Sequence, residues 1–112
     1  MYPVITFTEP YLHSGSRDNL LGENYDVKYI DYYSNEKHVS AKTPPTFLIH
    51  ATDDRGVPVE NSLMFYESLR KYDIPSEMHI FKSGGHGFGL GVGNDLLAPW
   101  KQMCINWIRN LN

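Results

Sequence analysis

The chain has 112 residues, of which 41% are hydrophobic and 13% aromatic, and a formal net charge of -3. These values fit one globular domain and exclude a disordered chain. There is no basic block for nucleic acid or an anionic membrane surface and no apolar run near the roughly 18 residues of a membrane span, and the single cysteine, Cys104, rules out an internal disulfide or a cysteine-rich metal site.

Tyr2-Pro3-Val4-Ile5-Thr6-Phe7 is rich in β-branched and aromatic residues and predicts a strand. It begins almost at Met1, with no basic segment or cleavage site of a signal peptide, so the chain is expected to enter its fold midway. Residues 8–23, with Pro10, Gly15 and Gly22, read as a loop around a short helical turn at 18–21. Residues 24–34 allow a helix with Tyr25, Ile30 and Tyr33 on one side, and Thr43-Pro44-Pro45 stops any helix there. Thr46-Phe47-Leu48-Ile49-His50-Ala51 is a continuous apolar run between turn signals, the pattern of a strand covered on both faces. A turn carrying Asp53 and Asp54 follows, then a helix over 59–72 with a stripe of Val59, Leu63, Tyr66 and Leu69. Pro58 suits its start, and Arg70 and Lys71 suit the negative end of its dipole. Residues 76–81 predict a further strand nearer a sheet edge. A last helix spans about 99–110, with Trp100, Cys104, Trp107, Ile108 and Leu111 as its apolar stripe and Cys104 expected to be buried and inert.

Strands alternating with helices predict an α/β fold: about three parallel strands with helices packed on the sheet faces. Ligands in such folds bind at the carboxyl ends of the strands. The loop from Thr8, the Asp53-Asp54 turn and the loop Ser83-Gly84-Gly85-His86-Gly87-Phe88-Gly89-Leu90 are all expected there. His86, set among glycines, is sterically open. It could serve as a catalytic base, a metal ligand or a plain turn residue. A base needs a carboxylate on Nδ1 to fix its tautomer, and the neighbouring strand-end turn supplies two. A metal site from His50, Asp54 and His86 matches no known ligand spacing.

Residues 43–90 resemble the C-terminal part of an α/β-hydrolase esterase, close to the acetyl-xylan-esterase-like and prolyl-oligopeptidase-like carboxylesterases. His50-Ala51-Thr52-Asp53-Asp54-Arg55-Gly56-Val57-Pro58 matches the signature H-(G/A)-x-x-D-x-x-V-P, whose catalytic acid falls on Asp54, and Gly84-Gly85-His86-Gly87-Phe88-Gly89-Leu90 matches the loop of the catalytic histidine, here His86. Residues 2–7 and 13–22 resemble the segment after the nucleophile helix. Asp53 is then expected to cap the turn and His50 to be packed or hydrogen-bonded inside. Ser14, Ser16 and Arg17 are candidates to line an acyl or alcohol pocket, with a turn and helix cap as the plainer alternative.

The chain departs from these esterases at one point. It has no G-x-S-x-G, the turn that presents the nucleophilic serine. In the family that elbow and the oxyanion loop precede a strand like 2–7. Residues 1–112 are therefore expected to be a partial α/β-hydrolase domain, its C-terminal half, with two triad members and no appreciable activity alone. The resemblance implies short acyl esters, plausibly acetyl groups on sugars, as substrates, and no metal or organic cofactor. The competing reading is a non-catalytic truncated hydrolase acting as a binding module. An uncovered strand edge at 2–7 would favour self-association. No compartment follows from the sequence.

Overall fold

A computed structural model describes residues 2–111. Helix α1 covers Ser14–Leu21 and α2 covers Lys28–Tyr33, followed by a 3-10 turn at Asn35–Lys37. Strand β1 (Thr46–Ala51), helix α3 (Glu60–Lys71), strand β2 (Ser76–Phe81) and helix α4 (Trp100–Arg109) complete the order. Both strands and both later helices stand where the hydrophobic pattern predicts them. The first helices are less well foreseen: α1 is longer than the turn expected at 18–21, and α2 is shorter than 24–34.

β1 and β2 pair in parallel, from Thr46 opposite Ser76 to Ala51 opposite Phe81. A parallel pair needs a crossover, and α3 provides it. Val39, Leu48, Leu69 and Ile74 form a buried cluster against which Phe65, Tyr66 and Met78 pack. On α3 the buried residues are Asn61, Ser62 and Leu69, whereas Leu63 of the expected stripe is 41% exposed. Polar side chains occupy that inner face because each has an internal partner, described below. On α4, Trp100 is buried, with Nε1 donating to the Gly89 carbonyl at 3.2 Å, and the Trp107 ring packs 5.6 Å from Phe47. Cys104 is half-buried rather than buried, and Ile108 faces outward.

The sheet among the described residues has two strands, not the three expected, because residues 2–7 form no ladder. Ile5, Thr6 and Phe7 are nevertheless buried. The Ile5 and Thr6 amides donate to Asn61 Oδ1 at 2.9 and 3.0 Å, the Phe7 amide to Ser34 Oγ at 3.0 Å, and the Ile5 carbonyl accepts from the Asn35 amide at 2.9 Å. β-Branched and aromatic residues report a buried half-extended surface, not a partner strand. Side chains of α3 and of the turn after α2 satisfy this backbone instead. The fold remains a parallel α/β sheet with flanking helices, and both strands direct their carboxyl ends to the same side. No helix among the described residues is long and apolar enough to cross a membrane.

Candidate active site

β1 and β2 end side by side, held by a 2.8 Å hydrogen bond from the Thr52 amide to the Phe81 carbonyl. The two loops that leave these ends therefore start as neighbours. The first reverses on Asp54. Its Oδ1 accepts the Gly56 and Val57 amides at 2.9 and 2.8 Å, a side-chain turn that buries the carboxylate completely. Burial pushes the Asp54 carboxyl up. The Val57 amide, the His86 ring and the Gly56 amide outweigh it, and the group lies below the ordinary carboxylate range.

Asp54 Oδ2 accepts from His86 Nδ1 at 2.9 Å. With Nδ1 donating to the carboxylate, the neutral ring carries its lone pair on Nε2. The His86 side chain is 47% exposed, and Nε2 makes no hydrogen bond among the described residues. This is the arrangement of a general base: one nitrogen anchored, the other open to solvent. The ring rests edge-on against Tyr2, with centroids 5.1 Å apart. Tyr2 Oη accepts the Gly89 amide at 3.2 Å, so the opening segment braces the histidine loop from its far end.

Asp53, expected to cap its own turn, does not; Asp54 caps it instead. Asp53 Oδ1 accepts the Gly84 and Gly85 amides at 2.9 and 2.8 Å, across to the histidine loop. Gly85 has φ +61°, and the left-handed backbone there turns two successive amides toward one acceptor. The adjacent aspartates thus divide the work: Asp54 holds the ring, Asp53 holds the loop that carries it. Gly56 is a further site residue that motif reading passed over. A Cβ there would lie 3.1 Å from His86 Cγ and 3.4 Å from Asp54 Oδ1, so only glycine leaves the ring its place. The signal was available in its position two residues after the acid, but its cause is a contact across 30 residues of chain.

His50 is fully buried with both ring nitrogens bonded, as expected of an internal histidine. Among the described residues no group of three or more His, Cys, Asp or Glu side chains is placed to hold a metal ion. Ser14, Ser16 and Arg17 lie on the first helix and make local contacts. His13 Nδ1 caps α1, accepting the Ser16 amide at 3.1 Å with Ser16 Oγ at 2.9 Å. Arg17 Nε donates to Asp18 Oδ1 at 2.8 Å, and its guanidinium sits 5.9 Å from the Tyr25 ring. None of the three bonds to Asp54 or His86 among the described residues.

Residues 1–110 match the prolyl oligopeptidase family. The chain is 39% identical to an acetylxylan esterase of Xylanibacter ruminicola, over 98% of its own length and 24% of that protein. It is 45% identical to endo-1,4-beta-xylanase B of Butyrivibrio fibrisolvens, over 84% of its own length and 14% of that protein. Its fold superposes with a TM-score of 0.94 and 45% identity on an acetyl ester-xyloside bifunctional hydrolase from Caldicellulosiruptor lactoaceticus, covering 98% of this chain and 40% of that one. The chain thus spans well under half the length of each. The similarity to the C-terminal part of an α/β-hydrolase esterase holds for the fold as well as for the motifs. On the family match the chain belongs to the prolyl oligopeptidase family, and it is similar to acetylxylan-esterase and carboxylesterase hydrolases.

Proposed function

We propose that this chain, a partial α/β-hydrolase domain, carries the acid and base of a serine esterase, Asp54 and His86, and that the nucleophilic serine comes from outside the chain. The observation that carries this is the anchored ring: Nδ1 on the buried Asp54 carboxylate at 2.9 Å, with Nε2 open to solvent. The eight serines of the sequence include no G-x-S-x-G, and none bonds to His86 among the described residues.

In the reaction the serine Oγ attacks the ester carbonyl as His86 Nε2 takes its proton. The imidazolium is stabilised by Asp54, which stays ionised. His86 then returns the proton to the departing alcohol oxygen, and the acyl group remains on the serine. A water repeats the sequence in reverse roles and releases the acid. Donors to the oxyanion would also lie outside this chain. The names of the Xylanibacter and Caldicellulosiruptor proteins support acetyl esters on a sugar backbone as the substrate class.

The test is a graft. The chain replaces the matching segment of the Caldicellulosiruptor hydrolase, and turnover of a chromogenic acetate ester is measured. The graft is expected to be active, and the isolated chain inactive. His86→Ala and Asp54→Asn in the graft are each expected to lower kcat by about 10⁴-fold. A graft whose turnover survives His86→Ala overturns the reading and leaves the chain as a non-catalytic binding module.

A further inference from the structure

Among the described residues, His50 is a buried ionisable group beside the site for which the mechanism has no use. It sits near the end of β1 with no exposed surface. Its Nε2 lies 3.0 Å from the Val57 carbonyl and 3.2 Å from Asp54 Oδ2. Its Nδ1 lies 2.7 Å from Ser62 Oγ, on the inner face of α3. A carbonyl oxygen only accepts, so Nε2 must carry a proton. In the neutral ring Nδ1 is then the acceptor and Ser62 the donor, and this pairing excludes the other tautomer.

The consequence falls on Asp54. Its Oδ1 already takes two amides. Its Oδ2 faces two imidazoles, His86 Nδ1 at 2.9 Å on the open side and His50 Nε2 at 3.2 Å on the closed side. We infer that His50, locked by Ser62, is a positioning residue: its Nε2–H donates to the Val57 carbonyl and so fixes from within the turn whose Val57 amide holds Asp54 Oδ1, while the same ring edge backs Asp54 Oδ2 at 3.2 Å. A carboxylate with donors on both oxygens cannot rotate about its last bond without losing several of them at once. For catalysis this rests on the esterase reading of Asp54 and His86; for the ring of His50 it does not.

Nitrogen-15 spectra of the histidine rings in the full chain supply the first test. His50 is expected as the Nε2–H tautomer, and finding the proton on Nδ1 overturns the inference. The second test uses the graft. His50→Leu removes the donor and is expected to lower kcat about ten- to a hundredfold with little change in KM, the scale of a small misplacement of a catalytic group. His50→Gln, whose amide can reach the same acceptors, is expected to recover most of the loss. A folded His50→Leu graft with unchanged kcat, or a His50→Gln graft no better than the leucine variant, overturns it. Should His50→Leu fail to fold, Ser62→Ala takes its place, and retention of full kcat with the His50 tautomer released is the overturning result. Survival of activity in His86→Ala would instead strike at the esterase reading, and the ring spectra would still judge His50.

Discussion

At the scale of single residues, the Asp54–His86 pair depends on what is missing at position 56. Gly56 does not need a left-handed backbone, so alanine there is a test of space alone. Its Cβ would press on His86 Cγ at 3.1 Å and His86 Cβ at 3.3 Å. Gly56→Ala is expected to lengthen the Nδ1 to Oδ2 bond and to lower kcat of the graft about tenfold. Because the ring can yield toward solvent, thermal unfolding should register less than about 1 kcal/mol. Asp54 also gives an acid signature. Its folded carboxyl lies below the ordinary range, so the unfolded chain binds the extra proton, and stability rises with pH there. The contribution is complete above the ordinary carboxylate range and is lost as pH falls through that range and below it. Asp54→Asn should flatten the chain's stability over that window relative to the parent, as read by urea midpoints. An unchanged slope would mean that Asp54 is not held ionised by its donors.

At the scale of elements, α3 does more than connect two strands. Asn61 is fully buried and uses all its hydrogen-bonding capacity. Oδ1 takes the Ile5 and Thr6 amides, and Nδ2 donates to the Tyr11 and Pro58 carbonyls at 2.8 and 3.1 Å. One side chain therefore fastens the opening segment, the loop before α1 and the start of α3. Asn61→Ala leaves two buried amides without partners and is expected to cost about 2–6 kcal/mol, at about 1–3 for each unsatisfied group. Tryptophan fluorescence in urea checks this; a loss below about 1 kcal/mol would show that water readily replaces the side chain. Because Tyr2 touches the His86 ring, release of this segment also bears on the site. The polar inner face of α3 has a common logic: Asn61 serves the opening segment and Ser62 serves His50, and both occupy positions that an apolar stripe would ordinarily fill.

At the scale of the whole molecule, the chain is a slab of 43 × 33 × 18 Å with a radius of gyration of 15.0 Å. A compact domain of this length would have about 13 Å. Ile80 of β2 and Ile105 and Ile108 of α4 are each more than 40% exposed. Such a surface is in keeping with the proposal that the nucleophile arrives on other residues that pack against this half-sheet. Much of the arrangement was legible in the sequence. Thr46–Ala51 and Ser76–Phe81 announce themselves as strands because apolar runs between turn residues have few other ways to be buried. Asp54 and His86 stand out because they fall on the two motifs that resemble those of the esterases; a carboxylate and a glycine-flanked histidine at successive strand ends alone leave a base, a metal ligand or a turn residue open. The opening segment could not be read in this way, since composition reports burial and only the fold shows whether a strand or the Asn61 side chain meets the backbone. The same holds for Asp53, Gly56 and His50. The sequence by itself determined which residues could do acid–base chemistry and which runs must be inside, because residue type and spacing carry that information. Only the tertiary structure decided that Asp53 grips the loop, that Gly56 makes room for the ring and that His50 backs Asp54, because each is a contact between groups that the chain brings together only on folding.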